Sequence, residues 1–406
     1  MSMTAVRTIR APLMAFFAMG IFWGAWGALV PDVKATTGAS DGELGLALLF
    51  VALGAVPAML VGGRLSDRIG APLLPASVAV FALAVALPGL APSPAWLAAA
   101  LFLVGLGSGL MDVAMNARVG AAEAATGMRS MHLAHGLFAV LYLLAAFATG
   151  MLRSIGATPS VVLAGAAVLL LVLAALARSK GHAPEAGTAD GDDGGPTGSS
   201  VLRLPEGYVV LFGVIAFAAF LSENAWQSWS ALHLERSFGA EPWLGSLGPA
   251  TVGVAVAIGR LGGQALTGRV SDGAMLLGSA ALAIAGALAF ALAPSVAWAM
   301  PALFVAALGA SVIAPTVLSL AGRTASASRR GTAVATVSVI AYTGFFVGPA
   351  VMGGLSEAHG LRAALGAVAA ILVLVPIAWS LHAATRRGAP VASTEGAGGE
   401  AVVSRM

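Results

Sequence analysis

The stretch Gly-Arg-Leu-Ser-Asp at residues 63–67 recurs as Gly-Arg-Val-Ser-Asp at residues 268–272, 205 positions further along the chain. Other matches surround the two copies. Gly54 and Gly259 keep the same separation, and Leu-Phe pairs at 101–102 and 303–304 are 202 positions apart. A unit that repeats at this distance indicates a chain built from two similar halves.

The composition indicates that the bilayer is the solvent of this chain. Of 406 residues, 59% are hydrophobic and only 10% are charged, which is too apolar for a protein with a fully wetted surface. A membrane-spanning helix needs about 20 apolar residues. The chain has twelve such stretches, which we number as spans 1 to 12 and place at 11–31, 43–63, 73–91, 96–118, 131–152, 157–177, 208–234, 244–267, 274–293, 298–321, 332–354 and 361–382.

These stretches predict an all-α membrane protein with about twelve transmembrane helices in two pseudo-symmetric six-helix bundles. We expect the first bundle at 1–178 and the second at 207–384. The segment 179–206 is rich in Gly, Ser, Thr and Asp, so it cannot bury a core, and we interpret it as a flexible cytoplasmic linker. Residues 385–406 are predicted to form a cytoplasmic tail.

The basic residues predict the orientation in the membrane. Sixteen of the 21 Lys and Arg residues fall in segments on the side of the two termini, four fall in the opposite loops, and Arg260 lies inside a span. Cytoplasmic loops carry the excess of Lys and Arg. We therefore expect a multi-pass protein of the bacterial inner membrane with both termini in the cytoplasm, and this topology explains the pI of about 9.8 better than nucleic-acid binding does.

Several classes of chemistry are excluded by the sequence. The chain has no cysteine, which excludes disulfides, thiol nucleophiles and thiolate metal sites. It has no His-Glu-x-x-His motif and no Walker loop, and its glycine runs lie within hydrophobic stretches. We expect no enzymatic activity, no metal and no cofactor beyond a proton gradient. The expected partners are a small-molecule substrate and membrane lipid, with no nucleic acid, and we expect a monomer.

Residues 63–70, which include the first copy of the repeat, resemble the signature loop of the major facilitator superfamily between its second and third helices. The resemblance covers nearly the whole chain and implies transport by alternating access at a central site between the halves. In the family this loop supports the cytoplasmic gate. The second copy has Gly273 where a further basic residue would follow. The residues predicted to act in gating are Gly63, Arg64, Asp67, Arg68, Arg269 and Asp272.

A narrower resemblance rests on Asp112 and Asn116 in span 4 and on residues 131–136 at the start of span 5. Both segments are similar to the fucose:proton symporter-like branch, and spans 1 and 2 are similar to related uncharacterised bacterial members. This resemblance implies proton-coupled symport of a small polar solute such as a sugar. His132 and His135 stand where that branch would have Asn and Gln, a departure that bears on the choice of substrate.

Three ionisable residues lie within spans: Asp112, Glu223 and Arg260. Because a charge inside the membrane is costly, an ionisable residue within a span is a candidate functional residue. We place Asp112 about six residues from the cytoplasmic end of span 4, roughly 9 Å deep. Arg260 lies at a comparable depth. Our hypothesis is that Asp112 pairs with Arg260 while the cytoplasmic side is closed and that protonation of Asp112 weakens this pair, whereas Glu223 binds substrate and titrates with it. The residues predicted to act in proton coupling are Asp112, His132, His135, Glu223 and Arg260. The alternatives are a permanent structural pair for Asp112 and a bond to broken helix backbone for Glu223.

Polar and aromatic residues complete the predicted site. Trp226, Gln227 and Ser230 share a helix face with Glu223, and indoles stack on sugars while carboxylates and amides bind hydroxyls. His132 and His135 are either proton relays or interfacial histidines, Asn224 is either a ligand or helix contact, and Trp23 and Trp26 are either site residues or interfacial anchors. The predicted substrate-binding residues are Trp23, Trp26, Asn116, Tyr142, Glu223, Asn224, Trp226 and Gln227.

Two other function classes remain open at this stage. The first is proton-driven efflux of drugs or other amphipathic compounds, against which span 5 lacks a repeated Gly-Pro pattern. The second is a receptor that uses a transporter fold without turnover, which a soluble signalling domain would favour.

Overall fold

The computed structural model describes residues 3–126, 130–178, 206–326 and 329–387. Within these ranges the chain is helical and has no strand. The helices are Met3–Thr37, Asp41–Ile69, Leu73–Val85, the 3-10 helix Leu87–Leu90, Pro94–Thr126, Met131–Ser154, Pro159–Leu176, Gly207–Phe238, Pro242–Gly245, Leu247–Leu266, Asp272–Ala291, Val296–Thr324, Arg330–His359, Leu361–Leu372 and Leu374–Arg387.

Twelve of these segments are long and apolar enough to cross a membrane, which confirms the predicted fold class. Several boundaries differ from the prediction. Span 4 continues to Thr126 because residues 121–125, four alanines and a glutamate, are strong helix formers, and span 1 runs over Met3–Thr37. Spans 8 and 12 are each interrupted, near Ser246 and near Val373. The helix that starts at Asp41 begins with a capping box, in which Ser40 and Glu43 bond each other's backbone amides.

The repeated glycines have matching structural roles in the two halves. A Cβ on Gly54 would lie 2.8 Å from the Leu106 nitrogen of span 4, and one on Gly259 would lie 2.8 Å from the Leu308 oxygen of span 10. Small residues let transmembrane helices approach closely. Spans 2 and 4 therefore pack as spans 8 and 10 do, which is the physical basis of the repeat.

The two copies of the repeated motif differ in local structure. In the first copy, residues 63–67 continue the helix of span 2 to Ile69. In the second copy the helix ends at Leu266, and Ser271 caps the next helix by accepting a bond from the Ala274 nitrogen at 3.3 Å. Asp272 then pairs with Arg323 at 2.9 Å, a contact within the second half.

Because the number of spans is even, both ends of the chain lie on the same side of the bundle. We call this side, which also carries the 67–73 turn, the terminal face. The opposite side, which carries the 38–40 and 155–158 turns, is the distal face. The two halves meet toward the distal face. There, span 2 crosses span 11 so closely that a Cβ on Gly45 would lie 2.9 Å from the Gly353 Cα, and the Trp243 nitrogen donates to Ser154 Oγ at 3.2 Å.

Toward the terminal face the halves separate. The hydrogen bonds that described residues make between the halves lie near the distal face, at Asp41, Gly42, Arg153 and Ser154. Among the described side chains, the ion pairs near the terminal face join residues of the same half, Asp272 with Arg323 and Glu206 with Arg329. The structure is thus closed at the distal face and open toward the terminal face.

Three of the predicted features lie outside the described residues. These are most of the linker, at 179–205, most of the tail, at 388–406, and the side chains of Asp67 and His132.

Candidate substrate site and gate

The centre of the bundle contains a pair of opposite charges. Glu223 lies at the middle of the Gly207–Phe238 helix, and Arg260 of span 8 donates from Nη2 to both of its carboxylate oxygens, at 3.2 and 3.4 Å. Gln227, one turn along, donates to Glu223 Oε1 at 3.3 Å. The Arg260 side chain is 49% exposed, because the halves part at this depth, and Glu223 is 15% exposed.

Asp112 forms a second polar centre on the facing half. Asn116, one turn further along span 4, donates from Nδ2 to the Asp112 carboxylate at 3.2 Å and to its backbone oxygen at 2.9 Å. The apolar part of this helix runs to Glu123, eleven residues beyond Asp112. Arg260 is paired with Glu223 rather than with Asp112 in this state.

Span 11 places an aromatic group beside the helix that carries Glu223. Tyr342 is 51% exposed, stacks on Phe346 at a centroid distance of 6.0 Å and meets Phe220 of that helix edge-on at 5.3 Å. Tyr342 is not among the residues predicted from the sequence. The only sequence signal for this aromatic wall is the set Tyr342, Phe345 and Phe346 within span 11.

Tyr142 of span 5 lies where the two halves touch. A Cβ on Gly27 of span 1 would lie 3.3 Å from its hydroxyl, and one on Gly253 of span 8 would lie 3.4 Å from its ring. The residue is 9% exposed and lies within electrostatic range of Glu223. It therefore forms part of the distal boundary of the opening.

Other predicted substrate residues are packed inside their own half. Trp226 is fully buried, and Trp26 is 4% exposed and stacks on Phe22 at 6.1 Å. Asn224 is buried and accepts a hydrogen bond from Ser228 within span 7, which matches a helix contact rather than a ligand. Trp23 is half-buried and donates to the Met19 sulfur at 3.1 Å. In this state the structure shows no side-chain contact between any of these four residues and the Glu223–Arg260 pair.

The remaining predicted residues lie near the terminal face. His135 is exposed and meets Phe16 edge-on at 4.9 Å. Gly63, Arg64 and Arg68 are exposed at the end of span 2, and Arg269 donates to the Ala265 oxygen at 2.9 Å. Their exposure is what an open terminal face requires, because the opposite half is not in contact there.

The distal face is closed by a buried arginine that sequence reasoning passed over. Arg153 of span 5 is 1% exposed, and its five N–H donors all bond, to Asp32 at 2.6 and 2.7 Å, to Glu235 at 2.6 and 2.9 Å and to the Ala28 oxygen at 2.7 Å. Glu235 belongs to the second half and the others to the first. This one guanidinium therefore joins the two halves.

A second set of charges joins the halves around Asp41. Arg236 donates to its two carboxylate oxygens at 2.8 and 2.6 Å, Ser356 donates to it, and Lys34 lies at 3.2 Å. Glu357 of span 11 accepts from the Asp41 and Gly42 amides at 2.9 and 3.2 Å, and so caps span 2 from the opposite half. We refer to the contacts of Arg153 and Asp41 as the distal gate.

Nothing in the sequence marked these residues as partners. Asp32, Asp41, Arg153, Glu235 and Arg236 all stand at helix ends, where charged residues are ordinary at a membrane surface. The only signal in the sequence was that these five charged residues stand close to the short turns of the distal face, where charged residues are otherwise few.

A polytopic membrane protein of two six-helix halves, closed at one face and with ionisable groups at its centre, has the architecture of a transporter that works by alternating access. Comparison with known proteins agrees. The chain belongs to the Major Facilitator Superfamily, whose family model matches residues 13–327 and 273–405.

A relative of similar length is an uncharacterized MFS-type transporter of Yersinia pestis, 33% identical over 92% of this chain and 94% of the relative. Among solved structures, the nucleoside transporter NupG has a TM-score of 0.78 at 12% identity and covers 92% of this chain and 98% of its own. The E. coli fucose:proton symporter FucP has a TM-score of 0.57 at 17% identity, over 93% and 98%. At these identities the two structures show the fold alone.

Proposed function

We propose that this protein moves a small polar solute across the bacterial inner membrane by alternating access, coupled to proton movement. The observation that carries the proposal is the pair of Glu223 and Arg260 within spans 7 and 8, together with Asp112 within span 4 of the other half. Charges at this depth are expensive, so they are retained where a substrate or proton uses them. The names of the structural neighbours, a nucleoside transporter and a fucose symporter, also favour small polar solutes.

Asp112 is proposed as the proton carrier. Its carboxylate bonds only to Asn116 among the described side chains. Arg260, the cation that the sequence hypothesis pairs with Asp112, is bound to Glu223 in this state. A carboxylate without a cation near the membrane centre is costly when ionised. It would take up a proton while the opening is wet on one side and lose it on the other.

Replacing Asp112 by asparagine should abolish uphill accumulation and retain substrate binding and exchange, because the amide keeps the shape of the side chain and cannot carry the proton. The substrate is first identified by a thermal-shift screen of the purified protein against sugars, nucleosides, organic acids and drugs at two pH values. Uptake is then measured in proteoliposomes with an imposed pH gradient.

The matched control for this test is Glu241→Gln, which removes an exposed carboxylate of the distal loop. It should leave accumulation unchanged. Concentration of substrate by Asp112→Asn in response to a pH gradient would show that Asp112 is not the coupling site. Outward movement of the substrate in intact cells would assign efflux instead of uptake.

The proposed topology places the terminal face in the cytoplasm, so that the structure is inward-open. The natural chain has no cysteine, and a single Ser199→Cys variant therefore reports the location of the linker between the halves. We expect a membrane-impermeant maleimide to label Ser199→Cys only after the cells are broken. Labelling in intact cells would reverse the assignment of the two faces.

A further inference from the structure

Arg260 uses only part of its hydrogen-bonding capacity. Its Nη2 atom makes both contacts to Glu223, at 3.2 and 3.4 Å, and its Nε and Nη1 atoms donate to no group in the described part of the chain. Its side chain is half exposed to the opening between the halves. A guanidinium has two donor edges, Nε with Nη2 and Nη1 with Nη2, as the bonds of Arg153 to Asp32 and Glu235 show. Since Nε and Nη1 of Arg260 are both unused, a carboxylate can bind at the edge away from Glu223, which we call the free edge. An arginine keeps its charge at every physiological pH, so this free edge is a permanent cationic site within span 8.

The distal gate shows what such an edge can bind. The Arg153 guanidinium holds two carboxylates at once, those of Asp32 and Glu235, at 2.6 to 2.9 Å. Arg260 holds one carboxylate, loosely, and its remaining donors have the planar geometry that suits a second.

We propose that the transported solute carries a carboxylate, and that this group binds the free edge of Arg260 beside Glu223. The inference rests on the proposed function, because it assumes that the central cluster is the substrate site. It replaces the sugar suggested by sequence resemblance with a small organic acid.

The charges of the cluster favour a monoanion and explain the need for a proton. With Glu223 bound to Arg260, a substrate carboxylate leaves this pair with one net negative charge. Asp112 has no cation partner among the described side chains, so its ionisation adds a second negative charge to the bundle, and two like charges in a medium of low dielectric are unfavourable. A proton on Asp112 removes this repulsion, so that one anion and one proton cross together and no net charge moves.

The walls of the opening define the rest of the solute. The exposed face of Tyr342 offers stacking to a planar or apolar body. The side chains of Gln227 and Asn116 offer hydrogen bonds to hydroxyl or carbonyl groups. A hydroxylated or unsaturated monocarboxylate fits these three elements.

The experiment is a thermal-shift titration of the purified protein with a panel of small monocarboxylates, each paired with its own primary amide. We expect at least one carboxylate to raise the Tm of the natural protein and its amide to have no effect. Arg260→Gln should weaken that binding at least tenfold, whereas Arg10→Gln, which removes an exposed arginine at the end of span 1, should leave it unchanged. Arg260→Lys keeps the charge without the planar fork and should fall in between.

Several results would overturn the inference. They are a panel in which no carboxylate stabilises the protein, equal stabilisation by an acid and its amide, binding of amines in place of acids, and full binding by a folded Arg260→Gln protein. A carboxylate that binds through Arg260 but is not accumulated under a pH gradient would support this inference and contradict proton coupling. Accumulation of a neutral solute under the same gradient would do the opposite.

Discussion

Replacing Arg153 by methionine should open the distal face and stop transport. The side chain is 1% exposed and is the shared partner of Asp32 and Glu235. Methionine fills part of the volume but leaves two carboxylates without their cation. Removing one partner of a buried ion pair costs about 3–5 kcal/mol. Because Asp32 is one third exposed, we expect the lower end of this range, which corresponds to a roughly 100-fold shift in population away from the distally closed state.

The shift can be measured without a substrate, by the reactivity of a cysteine placed at the contact between the halves. Ser246 is fully buried and packs against Gly150 of span 5, and Ser246→Cys changes only one atom. In the natural background a soluble maleimide should label this cysteine slowly in purified protein. In Arg153→Met the labelling should be faster by more than tenfold.

Two further variants test this interpretation. Arg153→Lys keeps a positive charge but cannot bond both carboxylates at once, so it should give an intermediate rate. Adding Glu235→Gln to Arg153→Met removes one of the unpaired carboxylates and should restore part of the lost thermal stability. If Arg153→Met were labelled at the natural rate and kept its Tm, the ion pairs would not hold the distal face closed.

Replacing Gly353 by valine should prevent distal closure by sterics alone. A Cβ at this position would lie 2.5 Å from the Asp41 oxygen and 2.9 Å from the Gly45 Cα, both of which are backbone atoms of span 2 in the other half. A rotamer change cannot relieve a clash with backbone, so spans 2 and 11 must separate. Overpacking costs about 1–3 kcal/mol even where side chains can adjust. We expect at least a tenfold loss of turnover and rapid labelling of Ser246→Cys.

The next residue supplies the matched control. Gly354 is exposed, and a Cβ there would meet no heavy atom within 4 Å. Gly354→Val introduces the same side chain into the same helix and should leave labelling and transport close to natural values. Equal behaviour of the two valine variants would refute the proposed role of the crossing between spans 2 and 11.

The helical spans were predictable because their signal is local. Each is a run of apolar residues long enough to cross the bilayer, and the twelve found in the structure match the twelve predicted. The ends were less well predicted. Span 4 continues past position 118 to Thr126, since hydropathy falls there but helix-forming residues continue.

The three intramembrane charges could be picked out from the sequence, whereas their pairing in this state could not. Asp112, Glu223 and Arg260 stand out because charges in spans are rare. Which two of them pair depends on how span 7 faces span 8 and on which end of the bundle is closed. The structure pairs Arg260 with Glu223 through contacts between residues 37 positions apart. Tyr342 lies beside the helix that carries Glu223 only because span 11 packs against that helix.

The sequence by itself determined that this protein lies in a membrane, that it consists of two related halves and that it carries a few ionisable residues within its spans. These properties follow from composition, hydropathy and repetition, which do not depend on distant contacts. Only the tertiary structure decided where the halves touch, and it assigned the distal gate to Arg153 and Asp41. Their partners are 82 and 195 residues away, so the free energy of these bonds depends on helix packing that no local pattern records.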